Sequence, residues 1–316
     1  MSGVDPSAAV AKQTKLASEI FDELYNKTFD GVGVTRASYG EGEQVASELL
    51  ESQAKKLGLV IDHDAAGNIY MTMRGESQEA PPIVIGSHID SVAQGGNFDG
   101  AAGVISGLIA CAGIIEKGIR LPQDIRVMGI RAEESAWFGV SYIGSRSALG
   151  TLPKDALDNA KRSDTGITLG EHMFKAGCNP DALRAGDIYL PPSSLKAYLE
   201  VHIEQGPVLD SKDLPLGIVT GIRGNRRLPS AQCIGEYSHC GGVPRSYRKD
   251  AVLAVTDLVN YLDKVWDECE NKGKDFAFTV GKFFTDKEWH AMTKISGAVE
   301  FSLDMRSLDG DFIESM

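Results

Sequence analysis

At 316 residues the chain is long enough for about two domains with a sizeable core. A net charge of -12 argues against nucleic acid and against an anionic membrane as partners, and the densest basic group, Arg223, Arg226 and Arg227, is short and lacks interleaved aromatics. The five cysteines are widely spaced, odd in number and free of C-x-x-C pairs, which points to reduced thiols in a cytoplasmic protein rather than a disulfide framework or a thiolate metal site. No signal peptide is read in the opening residues, and no apolar run approaches the ~20 residues that cross a membrane. Residues 7 to 28 and 40 to 57 follow with the periodicity of amphipathic helices.

"LVIDHDAAGNIYMTMRG" reads as two strands joined by a turn at Ala66, Gly67 and Asn68. "PIVIGSHID" is an apolar strand ending in polar residues, followed by a glycine-rich loop. "GAAGVISGLIACAGIIEKG" is a helix of small residues. "DIRVMGIRAEES" and "SLKAYLEVHIEQGP" are two further apolar strands that end on acids and on a histidine with an acid. This rhythm predicts an α/β fold, with a mainly parallel central sheet flanked by helices and a site above the strand ends. After residue 222 the texture changes to a strand (231–238), a Gly-Gly turn, a long helix (250–268) and strands near 276–284 and 298–306. We therefore place a catalytic domain over 1–222 and a smaller inserted α+β (β-α-β-β) lid and dimerisation domain over 223–316.

Three separate strands end in ligand-type residues: His88 with Asp90, Glu133 with Glu134, and His202; Asp99 lies in the loop after the first. Imidazoles and carboxylates without thiolates suit a catalytic Zn²⁺ or similar divalent ion. In His-x-Asp on a strand both side chains point the same way, so Asp90 can accept from the far ring nitrogen of His88 and fix its tautomer. Asp99 sits among small residues, "GGNFDGAAG", where backbone can approach closely and a carboxylate can bridge two ions. Adjacent glutamates project oppositely in extended chain, yet at a strand end one can ligate while the other holds a water, a pairing of ligand and general base. The glycine loop lacks the spacing of G-x-G-x-x-G and of the P-loop.

The stretches "GSHIDSVAQGGNFDGAAGV", "RAEESAWFGVSYIGSR" and "LEVHIEQGPVL" resemble the motifs of the M20-type hydantoinase/carbamoylase amidohydrolases, a group of N-carbamoyl-L-amino-acid hydrolases, β-ureidopropionases and allantoate amidohydrolases. The resemblance runs from about residue 20 to the end of the chain. It implies a hydrolase of the ureido C–N bond in N-carbamoyl-L-amino acids or related ureido acids such as allantoate. Two divalent ions per subunit are implied, Zn²⁺ first, with Mn²⁺ or Co²⁺ as alternatives. By motif match His88 and His202 bind one metal, Asp99 bridges, Glu134 binds the second, and Glu133 is the general base, with Asp90 in support. The histidine of "HIEQG" points to the carbamoylase branch rather than to M20 peptidases. "SHCGGVPRSYRKDA" makes His239 the residue that polarises the scissile carbonyl, delivered in the family from a neighbouring subunit. "SLDMRS" makes Arg306 a bidentate fork for a substrate carboxylate, and Gln205 is a further substrate contact.

Two departures accompany the likeness. Thr293 stands where the family usually carries an asparagine thirteen residues before the strand arginine. Met316 falls inside the second domain, and the segment that in the family returns with a further metal-binding histidine, in a G-A-G-H-D-like loop, is absent; His63, His172 and His290 are left unassigned. The resemblance thus implies a C-terminally incomplete member, expected to form a homodimer through the lid, where Ala251, Ala254, Val255 and Leu258 could present an apolar helix face. An M20 peptidase or deacylase, and an inactive homologue that serves as a binding or dimerisation module, are the alternatives.

Overall fold

The apolar runs of the first two hundred residues become one five-stranded sheet with strand order β1-β2-β4-β3-β5. Its strands are β1 (Val60–His63), β2 (Ile69–Met73), β3 (Ile83–His88), β4 (Ile125–Ile130) and β5 (Ala197–Leu199). β3 pairs in parallel with β4 on one side and β5 on the other, while β2 runs antiparallel to both β1 and β4. Four of the five strands therefore share a direction, and β3 lies between the other two strands from which site residues leave. The computed structural model describes residues 7–316. It divides into two compact units, the first ending at Val208 and the second Leu209–Met316.

In the first unit, helices α1 (Ser7–Ala11), α2 (Thr14–Thr28), α3 (Glu41–Lys56) and α4 (Ala101–Glu116) accompany the sheet. The helix expected over 7–28 is interrupted at residues 12 and 13, where the Thr14 hydroxyl donates to the Ala11 carbonyl. α2 buries Ile20, Leu24 and Thr28, spaced by four as one helical face requires. α4 is almost wholly apolar and buries ten residues, so it lies in the core rather than on the surface. It approaches β3 through Gly103, where a Cβ would stand 2.6 Å from the Ser87 Cβ. Ile69, Met71, Val104, Ile105, Leu108 and Val127 form the centre of this core. Short helices α5 (Ser135–Phe138), α6 (Ile143–Ala148), α7 (Ala156–Asn159), α8 (Leu169–Lys175) and α9 (Pro180–Arg184) follow β4, and α10 (Val208–Ser211) comes after β5, where the second unit begins.

The second unit contains a three-stranded antiparallel sheet of order β6-β10-β8 and a separate pair of short strands, β7 and β9. The strands are β6 (Gly224–Ile234), β7 (Ser238–His239), β8 (Ala277–Thr285), β9 (Lys294–Ile295) and β10 (Ala298–Ser307). The helices are α11 (Ala251–Asn271), capped by Asp250 on the Val252 and Leu253 N–H groups, and α12 (Gly310–Ser315). β10 alternates, turning Val299, Phe301, Leu303 and Met305 inward against Ala251, Val255 and Leu262 of α11. Ala251 and Val255 are thus core residues of this unit, and the apolar side chains that α11 leaves exposed include Leu253, Ala254, Leu258 and Tyr261.

Candidate metal centre

His88 ends β3 with its ring almost fully buried. Its Nδ1 lies 3.0 Å from the Asp90 backbone carbonyl, which can only accept, so Nδ1 donates and Nε2 faces the site. The Asp90 carboxylate is the more distant partner, with Oδ1 3.4 Å from Nδ1. His202 is arranged in the same way, its Nδ1 2.8 Å from the Ile203 carbonyl. The third apolar strand is shorter than the sequence suggests; β5 stops at Leu199, and His202 is carried on the irregular segment beyond it.

Asp99 lies between the two imidazoles. Its Oδ1 is 3.5 Å from His88 Nε2 and 3.3 Å from His202 Nε2. That oxygen is buried and has no hydrogen-bond partner among the described residues, while Oδ2 accepts from Gln205 Nε2 at 2.7 Å. A buried carboxylate oxygen aimed between two imidazole nitrogens, with no well-formed hydrogen bond to either, is the arrangement a divalent ion would complete. Single ligand-type atoms of His88, Asp99 and His202 lie within 4.8 Å of one another, and so do those of a second group, His88, Glu133 and Glu134. His88 belongs to both.

The approach of Asp99 to His88 depends on Gly100. Its φ is +64°, and a Cβ there would fall 2.4 Å from the His88 carbonyl and 2.5 Å from the imidazole. Glu133 and Glu134 follow Ala132, whose φ of +52° takes the chain out of extended conformation at the end of β4. The Glu133 N–H then donates to Asp90 Oδ1 at 3.0 Å and the Glu134 N–H to Asp90 Oδ2 at 3.1 Å. Curled around one carboxylate, the two glutamates both reach His88 rather than projecting oppositely.

Electrostatics describe a cradle short of positive charge. Burial alone would depress the His88 imidazole, but Asp90 and then Asp99 outweigh it and carry it up to about 11. Asp99 is held down to about 2, first by His88 and against its burial, with the Gln205 hydrogen bond assisting. Burial raises Glu133, and burial followed by the charge of Glu133 raises Glu134 to about 7.

Three residues behind this surface were not foreseen. The Ser38 hydroxyl donates to Asp90 Oδ2 at 2.7 Å. Glu43 accepts from the Ala132 N–H at 2.8 Å and pairs with Arg131 at 2.7 Å. Arg36, fully buried, reaches the Ile89 and Asp99 carbonyls. A sequence signal existed for Glu43 alone, since it shares a helical stripe with Ala46, Leu50 and Ala54 and is an acid at a core position.

His63, His172 and His290 are placed elsewhere, beside Glu51, Thr165 and Thr285 respectively. In the second unit, His239 and Thr293 are close: β7 pairs with β9 at His239 and Lys294, and the Cys240 N–H donates to the Thr293 carbonyl. Arg306 lies on β10, its guanidinium 3.0 Å from Asp304.

A family model described as peptidase family M28 matches residues 68–168, the stretch that carries His88, Asp99, Glu133 and Glu134. The chain is 37% identical over 279 residues to an N-carbamoyl-L-amino acid amidohydrolase of Geobacillus stearothermophilus, covering 88% of this chain and 66% of that one. It is 32% identical over 297 residues to an N-carbamoyl-L-amino-acid amidohydrolase of Paenarthrobacter aurescens, covering 94% and 70%. Its fold superposes with a TM-score of 0.83 and 28% identity on an amidase of the hydantoinase/carbamoylase family from Burkholderia multivorans, covering 95% of this chain and 70% of that one. The chain thus spans about two thirds of the length of the relatives it matches. With the imidazole and carboxylate cluster at the ends of β3, β4 and β5, these likenesses establish that the chain belongs to the hydantoinase/carbamoylase family of amidohydrolases.

Proposed function

We propose that this chain carries the metal-dependent catalytic site of an amidohydrolase that cleaves the ureido C–N bond of N-carbamoyl-L-amino acids or of related ureido acids such as allantoate. The observation that carries the reading is the buried Asp99 Oδ1 set between His88 Nε2 at 3.5 Å and His202 Nε2 at 3.3 Å, with Glu133 and Glu134 against the same His88. His88, His202, Asp99 and Glu134 would hold two divalent ions, Zn²⁺ first, with Mn²⁺ and Co²⁺ as alternatives. Bound there, such ions supply Lewis acidity toward water and toward a carbonyl oxygen.

The chain's own residues do the rest. Glu133, raised by burial, is a base poised to take the proton of an attacking water. The water oxygen adds to the ureido carbon, the C–N bond breaks, and the same proton passes from Glu133 to the departing amine. The released carbamate yields carbon dioxide and ammonia. Asp90 accepts from the backbone N–H of both glutamates and so holds the turn that presents the base. Gln205 orients Asp99 and is a substrate contact. His239 as the group that polarises the carbonyl, Thr293 as a substrate contact and Arg306 as the carboxylate fork complete the assignment; Arg306 would have to share its guanidinium with Asp304. A homodimer formed through the second unit and a cytoplasmic location are part of the same reading. Among the described residues the cysteines are all free, and no helix is long and apolar enough to cross a membrane.

The test is ammonia release from N-carbamoyl-L-amino acids and allantoate by the purified protein, before and after chelation, with metal content measured alongside. Glu133→Gln should keep metal and lose turnover by about 10²–10⁴-fold, because an amide cannot take the proton. Glu134→Gln should instead lower metal content. Uptake of no metal, or near-normal rates in both variants, would sink the reading.

A further inference from the structure

Arg36 is fully buried in the first unit, and no carboxylate oxygen of the described residues stands within ion-pair distance of its guanidinium. A buried cation without a paired carboxylate is uncommon, and near a metal cradle its charge is of the wrong sign to attract the ion. Its position calls for another explanation, which the geometry supplies. Nε donates to the Ile89 carbonyl at 2.8 Å, Nη2 to the Asp99 carbonyl at 3.2 Å and Nη1 to Asn97 Oδ1 at 3.4 Å. Ile89 lies between His88 and Asp90, and Asn97 and Asp99 belong to the loop that closes over His88. The Arg36 main chain is fastened to the same strand exit, with its N–H on Ser91 Oγ and its carbonyl accepting from the Ser91 N–H, both at 2.9 Å.

We propose that Arg36 is a positioning residue, a rigid fork that ties the Asp99 loop to the exit of β3 and keeps Asp99 Oδ1 aimed between His88 and His202 before metal arrives. The inference rests on the metal reading and adds to it the device that sets the spacing of the candidate ligands. Only a planar guanidinium offers donors in several directions at fixed angles; a lysine ammonium on a flexible stem cannot hold three separated acceptors together. Asp90 and Asp99 are the acids near enough to offset the buried charge. Preorganisation of this kind lowers the ordering cost of ligation, whereas charge alone would make Arg36 an obstacle to the cation.

The experiment titrates the metal-free chain with Co²⁺, followed by visible absorption and by competition with a chromophoric chelator, for wild type, Arg36→Lys, Arg36→Met and Asn97→Ala. Circular dichroism and melting of the metal-free proteins establish that each is folded. Folded Arg36→Lys and Arg36→Met should bind Co²⁺ about 10–100-fold more weakly, and Asn97→Ala should shift in the same direction by less. The partly exposed Asn97 makes its variant the decisive one should both arginine variants fail to fold. Unchanged or tighter binding in the folded variants overturns the proposal, because a residue acting by charge or by bulk stability alone would leave affinity unchanged or raise it. A wild-type chain that takes up no Co²⁺ overturns the metal reading itself, and this inference with it.

Discussion

Glu43 and Ala132 are joined by a 2.8 Å hydrogen bond from the Ala132 N–H to the buried Glu43 carboxylate, so a helix residue holds the turn from which Glu133 and Glu134 leave. The same carboxylate takes the Tyr39 N–H and the Arg131 guanidinium, each at 2.7 Å. Glu43→Gln would set an amide donor against some of these donors and leave Arg131 buried without a counter-charge. A loss of about 3–5 kcal/mol is expected, read from urea unfolding. A change within experimental error would show that the pair contributes nothing net.

Asp90 is the second support. Asn in its place keeps one acceptor and presents a donor where Glu133, Glu134 or Ser38 now donates. Asp90→Asn should therefore fold but bind metal about 10–100-fold more weakly, measured by calorimetric titration. Wild-type affinity would mean that the glutamate turn is held by Glu43 alone.

Gly100 is tested by its smallest replacement. Gly100→Ala adds a methyl group against the His88 ring at a left-handed φ, so both space and backbone oppose it. Destabilisation of about 1–3 kcal/mol is expected, together with weaker metal binding because His88 must move. A variant that melts and binds as wild type would show that the loop yields freely.

His172 supplies a pH effect away from the site. Burial first, then Arg162 and Lys175, lower its pKa below the ordinary 6.5. The unfolded chain therefore binds this proton at higher pH than the folded one. The contribution to stability is full above about pH 6.5 and is lost as pH falls from there toward the folded value. His172→Gln should flatten the decline in melting temperature over this window, and an unaltered slope would remove His172 from the account.

The chemistry-bearing residues at strand ends were legible because apolar runs that stop at His88, Glu133 or His202 are visible in one dimension. The sheet direction followed from the same runs. What the sequence hid was the backbone. Nothing in "RAEES" announces that Ala132 turns left-handed, so both glutamates face His88 instead of splaying. Arg36 and Ser38 stand in a short irregular stretch, and their roles depend on partners more than fifty residues away. The apolar stripe of α11 was legible as a stripe, but period alone cannot say whether such a face meets its own sheet or a partner; Ala251 and Val255 meet the sheet.

The placement of β3 between β4 and β5 has an evolutionary consequence. Neighbouring strands stand about 4.8 Å apart, so side chains leaving adjacent strand ends begin at a separation suited to sharing one or two cations. For His88, Glu133 and Glu134 that separation comes from hydrogen-bonded strand order, while Asp99 and His202 are brought in by the segments that follow β3 and β5. The β3–β4 connection carries Asn97, Asp99 and Gly100 and the β4–β5 connection begins with Glu133 and Glu134, so the stretch free to lengthen, shorten or acquire new elements is the later part of the β4–β5 excursion, from α7 to α9. Mutational freedom should concentrate in that later stretch, where new specificities can be explored while the ancestral chemistry is kept.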